Sequence, residues 1–161
     1  MPETARSYFA YGSNMDERQM ASRCNGSKLI GHAHLLGHAF LINERGVASV
    51  TPTPEKVVHG LLWTITKEDE KSLDKYEGVA SGHYTKINLP IQLEGTEQAV
   101  GALVYVASNH APGLPRPGYL ERIISAAHHH SFPTEYILEL ETWKTKTTSS
   151  AKATTPKNPS T

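Results

Sequence analysis

The stretch from Leu29 to Ile65 constrains the fold most. Within it Leu35–Ile42, Val47–Thr51 and Val57–Ile65 are rich in β-branched and aliphatic residues, and two short breaks, Glu44-Arg45-Gly46 and Pro52-Thr53-Pro54, divide them. Branched side chains suit a pleated, half-buried surface, whereas Gly and Pro turn or interrupt a strand. Strands joined by so few residues fold back on their neighbours, because a parallel connection needs a dozen or more. The segment therefore predicts antiparallel pairing.

Two further strands, about Tyr84–Leu93 and Ala99–Ala107, meet across Glu94-Gly95-Thr96, a hairpin turn. Upstream, Ser7–Tyr11 reads as a short aromatic strand that Gly12-Ser13-Asn14 ends. Ser13 with Asp16 three positions on has the form of a capping box and predicts a helix over roughly Asn14–Arg23. Thr66 with Asp69 at N3 predicts a second, Glu68, Asp69 and Glu70 lying where the helix dipole favours acids, and Gly78 ends it as a left-handed cap. Leu120, Ile123, Ile124 and Ala127 recur at i, i+3, i+4 and i+7, a third helix. A fourth carries Pro133 at its first position and the stripe Tyr136, Ile137, Leu140 and Trp143. The fold class is α+β: a small, mixed, mostly antiparallel, barrel-like sheet flanked by about four helices.

The 161 residues, 38% apolar and 20% charged, match one packed domain, expected over 1–143. Residues 144–161 hold Lys144, Lys146, Lys152 and Lys157 without an acid and have almost nothing to bury, so a disordered Lys/Thr/Ser-rich tail is expected there. Basic and acidic residues number 16 each, which gives no overall field toward nucleic acid or an anionic membrane. Cys24 is the single cysteine, so no intrachain disulfide forms and a reducing compartment fits. No secretory leader and no apolar run near the ~20 residues of a membrane span occur. The expectation is a soluble cytoplasmic protein with no nucleic-acid or membrane partner.

Two segments bear chemistry. In Tyr8-Phe9-Ala10-Tyr11-Gly12-Ser13-Asn14-Met15 a strand passes through a turn into a helix, which leaves backbone N–H groups outward at the positive dipole end, a seat for a carboxylate or an oxyanion. Gly12 allows close approach to the backbone. The same arrangement also serves as plain punctuation, with Ser13 taking up one donor as a cap. In Leu73-Asp74-Lys75-Tyr76-Glu77-Gly78-Val79, residues Leu73, Tyr76 and Glu77 stand at i, i+3 and i+4, so Glu77 shares the face that packs inward. Burial and the negative dipole end raise the pKa of such a carboxyl, and a general base near neutral pH needs that tuning. The alternative is a Glu whose stem carries its charge out to solvent.

His32, His34 and His38 project to one face of a strand but span about six residues or ~20 Å, too far for one ion. His128-His129-His130 cannot all turn to one side of a helix end. No Gly-x-Ser-x-Gly or Gly-x-x-x-x-Gly-Lys pattern occurs, Ser13 has no adjacent His, and Cys24 lies in a polar stretch, so nucleophilic and nucleotide chemistry find no support.

Taken together, Tyr8–Asn14, Leu73–Val79 and Ser81-Gly82-His83-Tyr84, with Val58-His59-Gly60-Leu61-Leu62-Trp63 and Pro117-Gly118-Tyr119-Leu120 at matching places, resemble the γ-glutamylcyclotransferase (AIG2-like) family over roughly Tyr8 to Trp143. The resemblance implies a small barrel with a cavity, commonly dimeric, that converts γ-glutamyl-amino acids into 5-oxoproline and the free amino acid. It implies Glu77 as the proton acceptor and the loop Tyr8, Phe9, Ala10, Tyr11, Gly12, Ser13 and Asn14 as the substrate-binding segment, with Tyr119 lining the pocket. The substrate supplies its own nucleophile, an α-amine that closes a five-membered ring, so this chemistry calls for no metal or organic cofactor. Tyr11-Gly12-Ser13-Asn14, where a related branch acting on γ-glutamyl amines has Tyr-Gly-Thr-Leu, points toward γ-glutamyl-amino acids. Removal of a γ-glutamyl group from an amine or a natural-product intermediate, and a non-catalytic module sensing a small acidic ligand, stay open as alternatives.

Overall fold

The computed structural model describes residues 5–144, so the expected tail, apart from Lys144, lies outside the described residues. Five strands, β1 (Arg6–Ala10), β2 (Lys28–Ile42), β3 (Ala48–Ile65), β4 (Tyr84–Leu93) and β5 (Ala99–Ala107), close into a barrel in the order β1-β3-β2-β4-β5. All neighbours run antiparallel except β1 and β5, whose parallel contact at Tyr8 and Leu103 seals the barrel. Four helices flank it: α1 (Glu17–Arg23), α2 (Lys67–Tyr76), α3 (Tyr119–His129) and α4 (Thr134–Glu141). The mixed, barrel-like α+β expectation describes this arrangement, and among the described residues no helix is long and apolar enough to cross a membrane.

Local details depart from the sequence reading in instructive ways. Pro52-Thr53-Pro54 does not divide two strands. β3 runs through it, and the register against β2 shifts between the pairs Leu36–Val57 and His38–Pro52. Pro52 is the last paired residue before the break, opposite His38, Pro54 lies within the unpaired stretch, and Gly37 on the facing strand has a φ of 72° at the irregularity. The first helix is not capped by Ser13. Ser13–Met15 form one 3-10 turn, and Asp16 caps α1 by accepting from the N–H groups of Arg18 and Gln19 at 3.0 and 3.3 Å. Pro133 is the cap residue of α4 rather than its first helical residue.

The capping box of α2 forms as expected, with Asp69 N–H donating to Thr66 Oγ1 and Thr66 N–H donating to Asp69 Oδ2, both at 3.0 Å. Asp69 is buried and its other oxygen accepts from Gly26 N–H at 3.2 Å, which ties the start of α2 to the loop after α1. Cys24 is buried against the same helix, its thiol donating to Asp69 O, and burial pushes its pKa up to about 12. Leu120, Ile123 and Ala127 of α3 are fully buried, as are Leu73 of α2 and Phe9, Leu61 and Leu103 of the barrel, so helices and strands share one apolar core.

Candidate active site

Glu77 directly follows α2 and ends it. Its N–H donates to Leu73 O at 2.8 Å, and Gly78 then turns the chain with φ of 66°. A side chain on Gly78 would strike His83 at 2.7 Å, so only glycine permits this exit. Leu73, four residues earlier, anchors the helix in the core, and the carboxyl of Glu77 is carried into a cavity of about 510 Å³. Tyr76 departs from expectation: it is 58% exposed, and the guanidinium of Arg23 lies 4.2 Å from its ring centre.

Among the described residues the Glu77 carboxyl makes no hydrogen bond. Burial pushes its pKa up to about 7, against the opposing pull of Arg23. Tyrosines surround it: Tyr8, Tyr11, Tyr84, Tyr105 and Tyr119 all line the cavity. Burial raises the pKa of each, that of Tyr119 to about 12, so all five stay protonated hydroxyls at neutral pH. Most of these hydroxyls are spoken for by the scaffold. Tyr11 donates to Tyr105 O at 2.5 Å, Tyr84 to Ala48 O at 2.6 Å and Tyr105 to Asp74 Oδ1 at 2.7 Å.

The Gly12–Asn14 turn forms another wall. Asn14, buried, donates to Tyr8 Oη at 2.9 Å and accepts at Oδ1 from Gln19 Nε2 and Arg23 Nη1, both at 3.1 Å. Gln19 also donates to Ser13 Oγ at 2.7 Å. Gln19 and Arg23 stand four apart on α1, so one helix face reaches back and fixes the turn. Within the described residues the N–H groups of Ser13 and Asn14 make no hydrogen bond, since those of Met15 and Asp16 already close the 3-10 turn onto Gly12 O and Ser13 O.

Of the residues singled out in the sequence, Tyr8, Phe9, Tyr11, Gly12, Ser13, Asn14, Glu77 and Tyr119 border this one cavity. Ala10 does not. It is buried in β1 opposite Leu61, and its carbonyl passes so close to Gly60 that a β-carbon there would lie 2.4 Å from it.

The sequence reading missed the cationic wall. Arg23, Arg45, Lys75, Arg116 and Arg122 line the cavity beside the single acid Glu77. Arg45 and Arg116 arrive by a shared device. Asn43, fully buried, accepts the N–H groups of Arg45 and Val47 and donates to Asn109 O at 3.1 Å, and Arg116 N–H donates to Gly46 O at 3.1 Å. The β2–β3 turn and the Pro-rich loop are thereby pinned together. Asn43 before Glu44-Arg45-Gly46 was the available clue, because an Asn side chain that bonds the backbone ahead of it builds such turns.

Comparison with known proteins bears on the family and the fold. The sequence pattern of the AIG2-like family matches residues 57–140. The chain is 30% identical over 140 residues to the mouse protein named γ-glutamylcyclotransferase, covering 80% of this chain and 73% of that one, and 29% identical to the human protein of the same name over the same shares. A solved structure titled γ-glutamyl cyclotransferase superposes with a TM-score of 0.78 at 26% identity, covering 86% of this chain and 87% of its own. A human crystal structure titled uncharacterized protein loc79017 also gives 0.78, at 27% identity over 86% of this chain and 88% of that one. The family pattern, the named relatives and the superposed fold agree: the chain belongs to the AIG2-like family of γ-glutamylcyclotransferase-like proteins.

Proposed function

We propose that the protein is a cyclotransferase that releases 5-oxoproline and a free amino acid from γ-glutamyl-amino acids. The observation that carries the reading is Glu77, a largely buried carboxyl with a pKa near 7 and no hydrogen bond among the described residues, facing a cavity of substrate size.

The α-amine of the γ-glutamyl group attacks the γ-carbonyl carbon, a carbon–nitrogen bond forms in a five-membered ring, and the bond to the leaving amine breaks. Folding the substrate back so that amine and carbonyl meet gives the attack a high effective molarity, so no enzyme nucleophile is required. Glu77 as carboxylate takes a proton from the α-ammonium to free the attacking amine and returns one to the departing nitrogen, while the ring nitrogen gives up its second surplus proton as the tetrahedral intermediate collapses and the free amine leaves as its ammonium. The N–H groups of Ser13 and Asn14 offer donors to an anionic oxygen of the substrate. The guanidinium of Arg45, which makes no hydrogen bond among the described residues, and the other cations of the wall favour a substrate bearing carboxylates.

The test is incubation of purified protein with γ-glutamyl dipeptides and γ-glutamyl amines, followed by assay for 5-oxoproline. Turnover of at least one dipeptide, with amines poorer, is the expected result. Absence of product across the whole panel would replace this reading with that of a ligand sensor.

A further inference from the structure

The strand pairing brings together three imidazoles that the sequence scatters. His32 and His34 occupy one face of β2, alternating with the buried Ala33 and Leu35, and His59 of β3 pairs directly opposite His34. One ring nitrogen from each lies within 4.8 Å of the others. His38, expected on the same face, takes no part: the irregularity at Gly37 intervenes, and its Nδ1 lies 3.0 Å from Leu36 O. None of the three lines the cavity that holds Glu77.

We propose that His32, His34 and His59 form a binding site for a divalent transition-metal ion of the zinc class, separate from the catalytic cavity. Two histidines at i and i+2 on a strand and a third across the ladder present three nitrogens from a rigid sheet, leaving a fourth position for water. The nitrogens of such a site stand about 3.3 Å apart when each bond is about 2.05 Å, so side-chain adjustment without backbone movement completes it. His32 Nε2 and His59 Nδ1 are already 2.9 Å apart.

The surroundings prepare the donors. The Glu94 carboxylate lies against His32 Nδ1, and the Glu94 N–H donates to His32 O at 2.9 Å. A carboxylate behind a ligating imidazole fixes its tautomer and leaves Nε2 as the donor. With Nδ1 of His32 carrying the proton, Nε2 accepts from His59 Nδ1–H; metal binding moves that proton to His59 Nε2. Phe132 stacks on His32 at 4.4 Å and Tyr136 packs on His59 at 4.7 Å, which limits the ring motions. Burial, then the neighbouring imidazoles, lower the His59 pKa to about 4, and burial lowers that of His32, so both are neutral ligands at physiological pH.

The experiment titrates metal-stripped full-length protein with Zn²⁺ by calorimetry and with Co²⁺ by visible absorption, and follows Tm with and without Zn²⁺. One saturable site with micromolar or tighter affinity and a Zn²⁺-dependent rise in Tm are expected. His34→Gln or His59→Gln weakens binding at least about a hundredfold, since each removes one of three ligands. Glu94→Gln, at an exposed turn position, weakens it about 10–100-fold while leaving the fold intact. Double substitution of His129 and His130, the pair beside Glu17, leaves affinity unchanged. Absence of a saturable site in the wild type overturns the proposal, as does an affinity left unchanged by the His34 or Glu94 substitution or lost with His129 and His130.

Discussion

The hydroxyl of Tyr119 stands 3.4 Å from the point a β-carbon would occupy on Gly12, and it accepts the N–H of Ala48 at 3.0 Å. The turn that offers free N–H groups is thus packed against an aromatic ring fixed by the barrel. A methyl at position 12 meets only ordinary van der Waals neighbours, so Gly12→Ala should fold with nearly unchanged Tm. It fills space at the substrate's approach, and KM should rise by about tenfold, about 1.4 kcal/mol of binding. A steady-state comparison checks this, and unchanged KM would place the substrate elsewhere.

Glu77→Gln keeps the shape and removes the proposed base. Proton transfer by a positioned side chain contributes about 10²–10⁴-fold, and kcat should fall by that factor with KM little changed. In the wild type kcat/KM should rise with pH through about 7, where the carboxyl becomes the carboxylate that accepts the proton. A rate profile flat between pH 5.5 and 8.5, approximately one and a half units either side of that value, would remove Glu77 from the role.

The same raised pKa links to stability. A carboxyl titrating near 4.5 in the unfolded chain and about 7 in the folded one binds its proton more tightly when folded. Its stabilising contribution is complete below about pH 4.5 and is lost as pH rises through 7, a change of up to about 3 kcal/mol. Glu77→Gln should therefore melt higher than wild type at pH 8.5, with the gap closing toward pH 5. Parallel melts at the two pH values test the sign.

Asp69 offers a purely structural contrast. Its carboxylate satisfies Thr66 N–H and Gly26 N–H while buried. Asp69→Ala orphans both donors, and a loss of about 2–3 kcal/mol is expected, lowering Tm by roughly 5–10 °C. Residual enzyme at low temperature should retain its KM, since Asp69 does not line the cavity.

Much of this was legible locally. The β4–β5 hairpin and the α3 stripe follow from patterns a few residues long, and Glu77 stood out because an acid at i+4 from Leu73 is misplaced on an inward face. Tyr76 was misjudged because its ring serves Arg23, a residue on another helix. Pro52-Thr53-Pro54 reads as a break in any single strand; that β3 continues through it shows only in the slipped register against β2, beside Gly37. His59 joins His32 and His34, and Arg45 joins Arg116, through pairings that no window of sequence contains.

The seam between β1 and β5 has a kinetic consequence. Tyr8 and Leu103 are some 95 positions apart, yet their contact closes the ring of strands, and Tyr8 also lines the cavity that holds Glu77. Ordering so long an intervening loop is entropically costly and slows the assembly of non-local sheets. Turnover on refolding should consequently lag behind recovery of secondary structure, because the chamber exists only after the first strand has found the fifth.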